Sequence, residues 1–227
     1  ASFHQLGNTY TQAGNFEKAI ANYKEAIRFI DKTISESQVV NPYMNIGSNY
    51  LNLNMLDSAL HYLRLALKYS NSSGNKTYQG ITLRLVGNIY LQRDQIDSAK
   101  HYYWKSLSVS REQSNFASEL ETIIGLAKFY EGLGQIDSMQ FYANNGFKIA
   151  KNLKVYGHVS NSAQLISNAF KLKGNTDSAF AYLAISKQIG DSLSKARTEQ
   201  LMEFQNIGFE EQIMLEKSVQ ENILAKN

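Results

Sequence analysis

The chain has 227 residues, with 23 Lys and Arg against 20 Asp and Glu, a formal net charge of +3 and no cysteine. That excess is too small, and its cations too interspersed with carboxylates, to make a nucleic-acid footprint, and disulfide and thiolate chemistry are excluded. No apolar run approaches the ~18 residues of a membrane span.

The stretch Leu6 to Ala26, LGNTYTQAGNFEKAIANYKEA, is written again four times in altered form. Leu6 recurs as Ile46, Val86, Leu126 and Ile166, a fixed step of 40 residues, and a period of this size means stacked supersecondary units. The next column, Gly7, Gly47, Gly87, Ala127 and Ser167, stays small; three residues on, Tyr10, Tyr50, Tyr90, Tyr130 and Phe170 stay large. The second half of each unit carries Ala19, Ala59, Ala99, Met139 and Ala179, then Tyr23, Leu63, Tyr103, Ala143 and Leu183. Spacings of three and four put these residues on one face of a helix in each half. Between the halves, Gly14, Asn54, Asp94, Gly134 and Gly174 tolerate the left-handed backbone that closes a helix. The carboxylate that follows, Glu17, Asp57, Asp97, Asp137 or Asp177, suits the first turn of a second helix.

The predicted first helices are therefore 1–13, 41–53, 76–93, 115–133 and 155–173, and the second helices 16–33, 56–71, 96–112, 136–152 and 176–190. The reading is an all-α solenoid of five helical hairpins over residues 1–190, each unit touching only its neighbours. The chain opens inside the first leading helix, so the first repeat reads as truncated, with further repeats or a signal peptide expected upstream. The fourth unit, with Met139 and Ala143, trades large for small across one interface and reads as repacked rather than lost.

Beyond 190 the step fails, since Leu6, Gly7 and Tyr10 would map onto Asn206, Ile207 and Glu210. Asp191-Ser192 reads as a fresh helix start, and 191–227, with no proline and only Gly208, as one long helix. Its early part is expected to cover the open face of the fifth unit, as an end cap must. Its later part is expected to project as a linker or weak coiled coil, with 200–227 available to pair two copies.

His4, His61, His101 and His158 are the candidates for acid–base work near neutrality, and none has the carboxylate or third ligand at a fixed offset that a zinc site requires. No glycine-rich phosphate loop, nucleophile elbow or paired-carboxylate signature occurs. The expectation is a non-catalytic interaction module with no metal and no cofactor.

The columns resemble the tetratricopeptide repeat (TPR) family, whose L-G-x-x-Y helix and A-x-x-x-aromatic helix are matched by Leu6-Gly7-Tyr10 and Ala19-Tyr23, over residues 1 to about 190. The family unit is about 34 residues long, so both helices here should carry extra turns. Its closing proline is missing from every repeat, Pro42 being the only proline in the chain. The resemblance implies that the first helices line a concave groove. Asn8, Ser48, Asn88, Lys128 and Asn168 would point into it, with His4, Met44, Arg84, Ile124 and Gln164 one turn earlier. Asparagine amides in a ladder offer donor and acceptor to a peptide main chain, and Arg84 and Lys128 could anchor a carboxylate; a solvated polar face without a ligand is the competing account. The family's clamp for a chaperone's terminal carboxylate is incomplete in both registers. In one register Arg84 and Asn88 fit but Gly125, Asn161 and Leu165 stand where the rest should be; in the other Asn8 and Asn45 fit while His4, Ile81 and Leu85 do not. The candidate groove residues are His4, Asn8, Asn45, Ser48, Arg84, Asn88, Lys128, Gln164 and Asn168.

A second resemblance, carried by Asp191-Ser192-Leu193, Glu203-Phe204 and Phe209-Glu210-Glu211 behind a repeat stack, is to the sensor regions of bacterial membrane-bound regulators with histidine kinase or helix-turn-helix outputs. It implies a signal-transduction protein with a protein or peptide ligand and repeats on the periplasmic or extracytoplasmic side of the inner membrane. The alternatives are a cytoplasmic scaffold or co-chaperone adaptor for peptide termini, and a cytoplasmic peptide-pheromone receptor.

Overall fold

The computed structural model describes residues 2–30 and 36–224, with side chains as far as 199 and at Met202. Among them are ten α-helices: α1 (Phe3–Gln12), α2 (Phe16–Phe29), α3 (Val40–Asn52), α4 (Leu56–Ser72), α5 (Gln79–Gln92), α6 (Ile96–Glu112), α7 (Phe116–Gly132), α8 (Ile136–Asn152), α9 (Tyr156–Leu172) and α10 (Thr176–Leu224). They pair in order as five hairpins, each packed on the next. The helix α2 stops short of the expected 33 because Ile30 turns extended, at φ −76° and ψ 111°.

Each hairpin closes in the same way. The residue two beyond the end of the first helix has positive φ, +75° at Gly14, +57° at Asn54 and Asp94, +67° at Gly134 and +76° at Gly174. The next amide then donates to the carbonyl five residues back, as in Asn15 to Tyr10 and Gln95 to Tyr90, both at 2.9 Å, which satisfies a carbonyl the helix end would leave orphaned. From the third unit onward the connections between hairpins use this turn too, with Ser114 at +50° and Lys154 at +56°. Helices α4, α6, α7, α8 and α9 are each 17 residues long. The added length relative to the family unit lies in these longer helices.

The core is a strip running between hairpins. Ala19, Ala59, Ala99 and Met139 are fully buried, and Tyr23, Leu63, Tyr103 and Ala143 are at most 2% exposed. The small column follows from this. A Cβ added at Gly7 would lie 2.7 Å from Tyr23 Cε1, and one at Gly47 would lie 2.6 Å from Leu63 Cγ. In the fourth unit Ala127 replaces the glycine, opposite Ala143 rather than a large side chain, and both are fully buried. That hairpin is present and repacked. From the second unit on, an aromatic of the first helix stacks on one of the second: Tyr50 on Tyr62, Tyr90 on Tyr102, Tyr130 on Tyr142 and Phe170 on Tyr182, with centroids 5.2 to 5.9 Å apart.

One expectation about the tail is overturned. No helix starts at Asp191, because α10 runs unbroken for 49 residues, so the boundary between 190 and 191 is not marked by a break. Ser192 does not cap: its hydroxyl donates to the Gln188 carbonyl at 3.0 Å, the back-bond of a serine inside a helix. The expected cover over the fifth unit is not seen among the described side chains. Leu183, whose counterparts in the other units are the buried Tyr23, Leu63, Tyr103 and Ala143, is 40% exposed, and Phe180 is 75% exposed. The inner side of α10 is held to α9, where the Ser160 hydroxyl donates to the Ser186 carbonyl at 2.9 Å. The coiled-coil and pairing expectations for 200–227 concern side chains outside the described residues. Among the described residues, no helix is long and apolar enough to cross a membrane.

Candidate binding groove

First helices of successive units touch, α3 with α5, α5 with α7 and α7 with α9, whereas successive second helices are not packed on one another in this way. The first helices therefore line the inside of the curve. The polar residues expected there do lie on these helices, but they are not equivalent.

Asn8 and Asn88 are each tied to the tyrosine of their own hairpin. The Tyr23 hydroxyl donates to Asn8 Oδ1 at 2.6 Å, and the Tyr103 hydroxyl donates to Asn88 Oδ1 at 2.6 Å. The acceptor end of each amide is thus engaged and the Nδ2 donor end is left to the groove. Burial pushes the Tyr103 hydroxyl up to about 12, against the opposing pull of the Arg84 charge. Burial also raises Tyr23, with hydrogen bonding by Thr11 and Asn45 acting in the other direction. Asn8 and Thr11, both on α1, converge on this phenol.

Asn168 is engaged at both ends of its amide. Its Nδ2 donates to Glu131 Oε1 at 2.9 Å, and its Oδ1 accepts from Gln164 Nε2 at 3.0 Å. Through these bonds Asn168 ties the fourth unit to the fifth, with Gln164 beside it on α9. Met44 and Ile124 turn into the core, only 8% and 5% exposed. Ser48 is half-buried on α3. The His4 ring stands edge-on to Tyr23, and its Nε2 lies 3.4 Å from Asn41 Nδ2. Burial lowers the His4 pKa, which keeps the ring neutral and able to accept that amide hydrogen.

The charges concentrate in the middle. Arg84, 17% exposed, gives one guanidinium N–H to Glu121 Oε2 at 2.5 Å, from α5 to α7. Lys128 is exposed one turn beyond Ile124. Around them α5, α6, α7 and α9 enclose a recess of about 400 Å³ that His158 and Asn161 also line.

The family model described as tetratricopeptide repeat matches residues 1–32 and 40–73. The chain carries tetratricopeptide repeats. Solved structures of TPR-like stacks extend the likeness along the chain. BtubC (BKLC) from P. vanneervenii is 20% identical, with a TM-score of 0.69 over 83% of this chain and 78% of its own. A Rap conjugation gene regulator of the plasmid pLS20, solved in complex with the Phr* peptide, is 14% identical with a TM-score of 0.75. The match covers 85% of this chain but 53% of that one, so this chain spans about half the regulator's length. A putative kinesin light chain with nearly identical TPR-like repeats, from Podosopora anserina, is 16% identical with a TM-score of 0.62 over 86% of this chain and 95% of its own. At these identities the likeness shows the fold. No curated protein matches the sequence.

Within the TPR frame, the sequence columns located Arg84, Asn88 and Lys128 but missed Tyr103, Glu121 and His158, which complete the same recess. The signal that would have found Glu121 is the distance between contacting residues of neighbouring first helices. Arg84 and Glu121 are 37 residues apart, as are His4 and Asn41, and Glu131 and Asn168. The two outer histidines, His61 and His101, sit edge-on to Tyr62 and Tyr102 on the second helices, away from the groove. Among the described residues, no group of three or more His, Cys, Asp or Glu side chains could hold a metal ion.

Proposed function

We propose that the chain is a non-catalytic module that holds a segment of a partner protein along its first helices, and that it forms the sensing part of a bacterial signalling protein. The observation that carries the first half is the inward line of hydrogen-bond donors. Asn8 and Asn88 keep their Nδ2 donors for the groove because tyrosine hydroxyls occupy their Oδ1 atoms, and the Lys128 ammonium follows on α7. An extended peptide offers carbonyl oxygens at intervals along its length, which is the complement such a line requires. The peptide-bound Rap regulator, a stack of the same fold, supports this reading by analogy.

The second half is supported by α10. A helix of 49 residues spans roughly 74 Å at about 1.5 Å per residue. Continuous with the last hairpin, it would carry a tilt of the fifth unit to whatever lies at its far end. In the regulators that the tail resembles, such a helix leads to a membrane span and an output domain, with the repeats on the extracytoplasmic side. A gene that encodes neither downstream of Asn227 refutes the sensor half.

The binding half is tested by photo-crosslinking in the native host, from a probe replacing Lys128 and from one replacing Lys105 on the outer helix α6. The groove probe should capture one partner that the outer probe does not, and Arg84→Ala with Asn88→Ala should abolish the capture while helicity is retained. Equal capture from both positions, or capture that survives the double substitution, refutes it.

A further inference from the structure

One site on the second helices changes character along the stack. Lys24, Arg64 and Trp104 occupy the same place in the first three units, 40 residues apart, and each stands against the stacked tyrosine pair of the unit that follows. Lys24 Nζ lies 5.7 Å from the ring centre of Tyr50 and 5.5 Å from that of Tyr62, and it donates to the Tyr50 hydroxyl at 3.2 Å. Arg64 reaches the Tyr90 hydroxyl of the next pair at 3.5 Å. At the third step an indole replaces the cation, with Trp104 centred 6.4 Å from Tyr142. The tyrosine pair itself is kept, Tyr130 and Tyr142 lying 5.4 Å apart and within 5° of parallel. A second place changes with the first: His61 and His101 stand edge-on to Tyr62 and Tyr102, and in the fourth unit Phe141 stands so beside Tyr142.

The exchange turns a place that the chain fills with its own cation into an open aromatic one. Trp104 and Phe141 are 43% and 60% exposed, and with Tyr142 they wall a cleft of about 360 Å³ between α6, α7 and α8. Both rings meet Tyr142 close to a right angle, at 77° and 86°, so π systems bound the cleft in more than one plane. The two charged residues of its lining, Arg111 and Glu119, bond each other at 2.8 Å and leave it without net charge. Ring faces carry negative charge density and attract a cation within about 6 Å, tryptophan most strongly. Exposed tryptophan in a pocket is also the residue type that most often anchors a protein partner.

We propose that this cleft receives a cationic side chain of a partner protein, arginine ahead of lysine, which supplies from outside the charge that Lys24 and Arg64 supply from within. The chain's own use of a lysine and an arginine against the same tyrosine pair sets the chemistry of the occupant. Arginine leads because its guanidinium is planar and weakly hydrated, and so gives up less water to lie against an aromatic face. The aromatic walls belong to second helices, so the inference does not rest on the first-helix groove, and either reading can fail alone.

Four glycine-rich peptides, N-acetylated and C-amidated, with arginine, lysine, citrulline or leucine at the centre, are titrated into the millimolar range at constant ionic strength against the full chain labelled with 15N. Trp104 is the only tryptophan in the chain, so its indole N–H gives a single signal. The side-chain amide of Asn145, which also lines the cleft, is the second readout. The arginine peptide should move both signals and bind about fivefold tighter than citrulline, its neutral isostere, with lysine between them. Trp104→Lys restores the cation of the first two units at an exposed position and should erase the arginine preference, read at Asn145. Phe141→Ala, also at an exposed position, should reduce the preference about twofold. Arginine and citrulline peptides that bind alike, a leucine peptide that binds tightest, or a folded Trp104→Lys chain that keeps the arginine preference overturns the proposal. Tetramethylammonium chloride that binds as tightly as the arginine peptide also overturns it, because a free ammonium ion would then suffice as the occupant.

Discussion

Replacing Gly47 by alanine should destabilise the stack, although the same change in a helix ordinarily stabilises it. The added Cβ would lie 2.6 Å from Leu63 Cγ, 2.8 Å from Leu63 Cδ2 and 3.1 Å from the Ala59 carbonyl oxygen. Carbon atoms in contact sit at about 3.5–4.0 Å, so the overlap is near 1 Å. Leu63 is fully buried, and the Ala59 oxygen belongs to a helix backbone. Overpacking of this kind costs about 1–3 kcal/mol, and the better helix propensity of alanine returns about 1 kcal/mol. The expected net loss is about 1 kcal/mol, the middle of a range from about 0 to 2. The control is Gly132→Ala on α7, where nothing lies within 4 Å of the new atom, and it should gain about 0.5 kcal/mol. The fourth unit suggests the rescue, since Ala127 faces Ala143 there. Leu63→Ala alone should cost about 2–5 kcal/mol as a cavity, and combined with Gly47→Ala it should cost less than the sum by about 1 kcal/mol. Urea unfolding followed by circular dichroism, with midpoints compared at unchanged slope, reads all four variants. A Gly47→Ala protein as stable as wild type, or additive costs in the double variant, would refute the close-packing account.

Tyr103→Phe removes the hydroxyl that donates to Asn88 Oδ1 and should cost about 1 kcal/mol near neutral pH. The folded-state pKa of Tyr103 is raised from 10.0 to about 12, so its contribution is complete below pH 10 and fades as pH climbs through 12. Stability curves of wild type and Tyr103→Phe should therefore converge at high pH, and curves that run parallel across this window would contradict the assignment. Asp191→Pro tests the continuity of α10. Inside a helix proline costs about 3 kcal/mol or more, whereas at the start of a separate helix it would be tolerated. Unchanged stability and helicity in this variant would mean that a helix does begin there.

The sequence alone determined the hairpin count, the five turns and the packing columns, because these depend on local rules that recur every 40 residues. A small residue opposite a large one at a fixed offset implies one packing, and Asn54 and Asp94 mark their turns as clearly as glycine does. The turns at Ser114 and Lys154 were not legible, since neither residue advertises positive φ, and the carbonyl closures at Ser110 and Ala150 that hold them form only once the helices are built. The end of the stack was misread because Asp191-Ser192 is a capping pair by composition and a mid-helix pair in place; with no proline or left-handed residue there, helix propagation prevailed.

In the groove, sequence placed Asn8, Arg84, Asn88, Lys128 and Asn168 on the right helices but could not assign their bonds. An asparagine is the same residue whether a tyrosine hydroxyl claims its oxygen, as at Asn8 and Asn88, or its neighbours claim both ends, as at Asn168. Only the tertiary structure decided this, along with the pairing of Arg84 to Glu121 and the burial of His158 Nδ1, because such bonds join side chains from different hairpins and depend on how closely those hairpins stack.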